Sequence, residues 1–180
     1  MFFSCKKLKE LILTNFDTSK VTDMHKMFYE CSSLTSLNLS NFNTSSVTTM
    51  RSLFRHCESL ISIDVSKFNT SNVVNMFDMF AYCYKLTSIN VSNFDTSKVE
   101  NMQGMFYHDY ELKYLDLSNF DTSSVTTLRS IFRYCNSLVY INLYNFIIKS
   151  YTDISNIIEF TSSNMKICIN DENSKNIFQS

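Results

Sequence analysis

Proline and tryptophan are absent from the 180 residues, and glycine occurs once, at Gly104. With one glycine there is no Gly-x-Ser-x-Gly nucleophile turn. The bends of the chain must instead be made by Asn, Asp, Ser and Thr, which bond their own backbone and, for Asn and Asp, accept left-handed dihedrals. No apolar run reaches the roughly 18 residues that a membrane-spanning helix needs. A net charge of −1 leaves no excess that would draw nucleic acid or an anionic membrane. A basic segment followed by an apolar h-region, the mark of a signal peptide, is not visible. Cys-x-x-Cys does not occur either, and His25, His56 and His108 do not converge with the cysteines, which argues against zinc.

What is present is a repeat. Phe16, Phe42, Phe68, Phe94, Phe120 and Phe146 lie 26 apart, and so do Leu8, Leu34, Leu60, Leu86, Leu112 and Leu138. A fixed period of this length marks stacked units that bury their apolar faces against each other. The 44% apolar content is enough for such a core. Met1-Phe2-Phe3-Ser4-Cys5 stands in register with Met27-Phe28-Tyr29-Glu30-Cys31, so the chain opens in mid-unit and reads as part of a longer protein. Stacked identical units also lower the expectation of catalysis, which needs different residues converging in one pocket.

Within the unit Cys31–His56, Leu37 and Leu39 alternate with Ser36, Asn38 and Ser40. This period of two reads as a strand, and repetition in one direction makes the sheet parallel. The inward equivalents are Leu11/Leu13, Ile63/Val65, Ile89/Val91, Leu115/Leu117 and Ile141/Leu143. Asn41-Phe42-Asn43-Thr44-Ser45 turns the chain, with Phe42 stacking on its counterparts and the Thr and Ser columns satisfying backbone groups. Apolar residues at Val47, Met50, Leu53, Phe54 and Cys57 follow helical spacing, and Asp23, Thr49, Asn75, Asn101 and Thr127 are N-cap types. The spacing predicts about two turns of helix on the face opposite the sheet. The sixth unit decays after Phe146, Met165–Ile169 falls where a seventh strand belongs, and 170–180 reads as a polar cap edge or tail. The expected fold is an α/β, right-handed leucine-rich-repeat-like solenoid over 1–169, with a parallel sheet on one face and short helices on the other.

The line Leu34-x-x-Leu37-x-Leu39-x-x-Phe42 resembles a leucine-rich repeat, with the nearest Asn displaced to Asn41. The longer form at 115–123, followed by Val125, Leu128, Ile131, Phe132 and Cys135, resembles the BspA-type repeats. These are 26-residue surface-protein repeats formerly catalogued as a domain of unknown function in mycoplasmas and other organisms. The resemblance implies a cell-surface or secreted array, sometimes an adhesin, and no catalytic residues.

Cys5, Cys31, Cys57, Cys83 and Cys135 form one column, interrupted by Asp109, and read as buried free thiols, with disulfides as the alternative. Asp17, Asn43, Asn69, Asp95 and Asp121 suit turn chemistry, with calcium between turns as the sharper reading. Asp64 and Asp116 fall two units apart on the outward sheet face, which offers a glycosidase pair no support. Arg51 and Arg55 form one basic pair and Arg129 and Arg133 another, with Phe77, Asp78 and Ala81 between them. The outward sheet columns are the best candidates for recognition. Tyr114, Tyr140 and Tyr144 break a Ser background together at one end, beside Asp116 and Asn142, as an exposed binding patch or, the stronger alternative, as rings packed under the terminal cap.

The expectation is a non-catalytic recognition module of a cell-surface or secreted protein. It binds a protein or glycan, not nucleic acid, through Tyr114, Tyr140, Tyr144, Asp116, Asn142 and Asp64. It uses no cofactor or metal, and this segment does not insert into a membrane. The alternative is a spacer or stalk that holds another domain away from the surface.

Overall fold

The computed structural model describes residues 1–170 and 178; apart from Asn170 and Phe178, the tail expected over 170–180 lies outside the described residues. The chain winds as a stack of 26-residue coils, each hydrogen-bonded to its equivalents in the coils before and after it. Among the described residues three short parallel strands appear at one end: β1 (Tyr114–Asp116), β2 (Tyr140–Asn142) and β3 (Lys166–Cys168), in the order β1-β2-β3. Tyr114 pairs with Tyr140 and Tyr140 with Lys166, so β3 is the expected seventh strand.

The strand columns of the earlier coils keep their inward residues without forming a ladder. Leu37, Leu39, Ile63, Val65 and Val91 are buried. Yet the coil-to-coil bonds there are long: Ile61 N–H donates to Thr35 O at 3.4 Å, whereas Val139 N–H donates to Lys113 O at 2.9 Å. Tyr114 and Tyr140 are strong strand formers where Ser36, Ser62 and Ser88 are not, so the ladder tightens where the tyrosines begin.

The expected α/β fold, with short helices on the face opposite the sheet, is overturned: among the described residues no helical segment occupies 23–31 or its equivalents. Left-handed residues recur four apart in every coil, at Lys26 and Glu30 (φ 56 each), Ser52 and His56, Asp78 and Tyr82, Gly104 and His108, Ser130 and Tyr134. A right-handed helix needs φ near −63° throughout and cannot run through such positions. The backbone N–H groups are satisfied in another way. Met24, Lys26, Phe28 and Glu30 donate to the next coil, at Thr49, Arg51, Leu53 and Arg55 O, over 2.9–3.1 Å. Met27, Tyr29 and Cys31 donate three residues back within their own coil, all at 3.2 Å, and His25 N–H donates to the Asp23 carboxylate at 2.7 Å. Every donor from 24 to 31 therefore has a partner. The apparent N-cap column does cap, but it caps turns: Thr49, Asn75, Asn101 and Thr127 side chains accept from the N–H two residues on.

The core is a set of columns. Phe42, Phe68, Phe94, Phe120 and Phe146 are buried as expected, but the continuous ring stack is a different one. Phe2, Phe28, Phe54, Phe80, Phe106 and Phe132 stack face to face with centroids 5.5–6.2 Å apart. Beside it, Thr18, Thr44, Thr70, Thr96 and Thr122 each give their hydroxyl hydrogen to a carbonyl of the next coil and accept that same residue's N–H, as at Thr44 with Asn69 (2.9 and 2.7 Å). All six cysteines are free thiols. The Cys57, Cys83 and Cys135 sulfurs donate to Phe28, Phe54 and Phe106 carbonyls at 3.0–3.3 Å. Burial pushes the Cys31 thiol up to about 11 and the deeper thiols further, which keeps them protonated.

Candidate functional site

The strand end of the stack carries the expected patch. Leu115 and Ile141 point into the core, so period two turns Tyr114 and Tyr140 outward. Tyr114 is 62% exposed, Tyr140 37% and Tyr144 49%. Tyr114 and Tyr140 are register partners on adjacent strands, and so are Asp116 and Asn142. These two side chains are partly occupied locally: the Asp116 carboxylate accepts from Ser118 N–H at 2.9 Å, and the Asn142 carbonyl from Tyr144 N–H at 3.2 Å. The second bond ties Tyr144 to the strand that bears Tyr140. Asp64 is bound in the same way to Ser66 N–H at 2.9 Å. It lies two coils before Asp116 on the same column, about 10 Å away at strand spacing, so the structure does not bring it into the tyrosine patch. The flanking cations Lys113 and Lys166 are exposed beside the rings.

The acidic-polar ladder serves turns. Asp17, Asn43, Asn69, Asp95 and Asp121 each accept from the N–H of the Ser two residues on, at 2.8–3.1 Å. These bonds from Ser hydroxyls and amides hold the Asp17, Asp95 and Asp121 carboxyls below the usual range.

Two features on the turn face are new. The second left-handed column forms an aromatic pile: His56–Tyr82 at 4.2 Å, Tyr82–His108 at 4.8 Å, His108–Tyr134 at 4.3 Å and Tyr134–Phe160 at 4.6 Å. Burial lowers the pKa of His56 and His108, favouring neutral imidazoles within the pile. Alongside it, Arg55, Arg129 and Arg133 converge on one cleft with Asp78, Gln103 and Tyr107. In the sequence these arginines fall into two separate pairs. Gly104, the smallest residue of its column and one of those that line the cleft, is the signal that the intervening coils leave room for them to meet.

Among the described residues no helix is long and apolar enough to cross a membrane. No curated protein and no solved structure matches the chain. A family described as "Mycoplasma protein of unknown function, DUF285" matches twice, over residues 1–90 and 61–171, in line with the repeat. The two matches together span the coils from the first to β3, and the chain belongs to this repeat family.

Proposed function

We propose that this chain is a non-catalytic recognition module of a cell-surface or secreted repeat protein, binding a protein or glycan through the strand face at Tyr114, Tyr140 and Tyr144. The observation that carries the reading is the exposure of three neighbouring tyrosines, at 62%, 37% and 49%, where earlier coils place Ser. Tyrosine offers a large contact area and a polar tip at low entropic cost, and it is enriched where surfaces bind. Asp116 and Asn142 border the rings with polar groups whose remaining lone pairs face solvent. The finer family reading is a BspA-type leucine-rich repeat, supported by the Leu34-x-x-Leu37-x-Leu39 line.

A spacer role is the second reading. It draws on the uniform Ser36, Ser62 and Ser88 and the Ser40, Ser66 and Ser92 of the earlier coils, which offer no distinctive surface.

The experiment replaces Tyr114, Tyr140 and Tyr144 together with Ser and compares the two chains on an array of glycans and purified surface proteins. The expected outcome is that wild type binds and the triple variant does not, with the variant folded and melting only slightly lower, since earlier coils already carry Ser there and strand propensity differs by about 1 kcal/mol at most per residue. Retained binding, or a loss of several kcal/mol of stability in the variant, would overturn the recognition reading. An array on which wild type binds nothing leaves the spacer as the better account.

A further inference from the structure

The cleft on the turn face is a second built site, separate from the tyrosine patch. Its origin lies in two columns that narrow on adjacent coils. One column runs Tyr29, Arg55, Ala81, Tyr107, Arg133, and the other runs Lys26, Ser52, Asp78, Gly104, Ser130. Gly104, which has no side chain to fill the space, lines a cavity of about 360 Å³ between the larger side chains of the coils on either side. That volume sits at the lower end of the ~300–1,000 Å³ typical of small-molecule sites. Gly104 is left-handed (φ 62), and a Cβ there would collide with the Asp78 carboxylate, which lies across it.

Two of the three cations, Arg55 and Arg133, have carboxylate and aromatic neighbours before any ligand arrives. Arg55 is ion-paired to Asp78 and its guanidinium lies 5.0 Å from the Tyr82 ring. Its Nε is buried with no hydrogen-bond partner among the described residues. Arg133 Nε sits 2.7 Å from Glu159 as an ion pair whose geometry forms no hydrogen bond, with its guanidinium 4.9 Å from the Tyr134 ring. Arg129 is exposed and joins no ion pair among the described residues. Asp78 is the only carboxylate among the lining residues, against three guanidiniums. Burial, opposed by Arg55 and Arg51, pushes Asp78 up to about 6, so its hold on Arg55 is contested by its own desolvation. Planar guanidiniums suit bidentate oxyanions, and Gln103, Tyr107 and Ser130 add an amide and hydroxyls to a lining that also includes the Phe77 ring.

We propose that this cleft binds an acidic sugar, its carboxylate, sulfate or phosphate held by Arg129 between Arg55 and Arg133, and its hydroxyls met by Gln103, Tyr107 and Ser130. A bare anion would use the arginines alone. The volume and the uncharged polar lining fit a larger ligand that carries hydroxyls.

The test is calorimetric titration of the 180-residue chain with glucuronate, glucose 6-sulfate, glucose 6-phosphate, neutral glucose and inorganic sulfate. At least one acidic sugar is expected to bind more tightly than inorganic sulfate, and glucose is expected not to bind. Arg129→Gln, at an exposed position, is expected to weaken binding about tenfold or more while leaving the melting curve unchanged. Asp78→Asn, which removes the competing carboxylate, is expected to tighten it. No binding by any of the three acidic sugars, sulfate binding as well as they do, or binding indifferent to Arg129→Gln would each overturn the proposal. Because Tyr114, Tyr140 and Tyr144 lie on the strand column, their Ser variant should bind the sugars as wild type does.

Discussion

Asp109 is the residue that fits its place least well. It occupies the thiol column between Cys83 and Cys135 and is fully buried. One carboxyl oxygen accepts Cys83 N–H at 2.9 Å; the other has no partner among the described residues. Burial lifts its pKa well above the usual carboxylate range, so the folded chain holds a proton there that the unfolded chain releases near pH 4. The unfolded state then binds fewer protons than the native state above that pH, and stability falls as pH rises towards the folded pKa. Asp78, also raised, acts in the same direction up to about pH 6. His25, His56 and His108, whose pKa values are lowered chiefly by burial, act oppositely: acidification below the ordinary imidazole value charges them more readily in the unfolded chain. The contribution of Asp109 is therefore read as a difference. Asp109→Cys restores the column and should raise the melting temperature, with a gain over wild type that grows from pH 5 to pH 8. A gain independent of pH would show that the buried carboxyl is already ionised or solvated.

At the scale of one coil, the turn columns are interchangeable parts, and a missing part is visible. Asn41, Asn93 and Asn119 each reach back one coil with Nδ2, as Asn93 does to Val65 O at 3.1 Å and Phe68 O at 2.8 Å. Lys67 stands where that Asn belongs and cannot make the same pair of bonds at the bend. Lys67→Asn should bond to Leu39 O and Phe42 O and stabilise the chain by about 1 kcal/mol in denaturant melts. An unchanged midpoint would mean that water already serves those carbonyls equally well. The Asn bonds were not legible in the sequence, but the Thr column that satisfies backbone groups was, as were the inward pairs from Leu37/Leu39 to Ile141/Leu143, with Ile89 half-buried, and the strand at Lys166–Cys168. The turn segment was not. Val47, Met50, Leu53, Phe54 and Cys57 are all buried, and that spacing suits a helix and a chain of tight turns alike. The deciding column was Lys26, Ser52, Asp78, Gly104, Ser130 and Asn156, whose Gly, Asp and Asn are types that accept left-handed backbone. Its partner column hides the same geometry under Glu30, His56, Tyr82, His108 and Tyr134, where ring stacking between coils offsets the backbone cost. The candidate site divides in the same way. The tyrosine patch follows from period two and single positions, whereas the arginine cleft depends on side chains of four different coils meeting beside Gly104.

At the scale of the whole molecule, each coil among the described residues bonds only to the coils before and after it, so stability should add coil by coil and the length of the stack should be adjustable. The joint matters more than the length. Thr44 and Thr70 are equivalent, with hydroxyls donating to Asn69 O and Asp95 O at 2.9 Å each, and the residues that follow them, Ser45 and Ser71, both bond back to the turn. Deleting residues 45–70 therefore joins Thr44 to Ser71 with every column intact: Phe54 leaves the ring stack and Phe28 meets Phe80, Cys57 leaves and Cys31 meets Cys83. This shortened chain should fold, unfold in one cooperative transition and melt somewhat lower than wild type, since one inter-coil interface is lost. Deleting residues 45–57 instead removes half a coil. The strand column would then face the turn column, and the left-handed backbone positions would fall opposite residues with no matching carbonyls. That chain should fail to fold, by circular dichroism and by dispersion of its amide resonances. If both deletions behaved alike, the coil would not be the unit of cooperativity. If only the first folds, the 26-residue hydrogen-bond offset itself specifies this architecture.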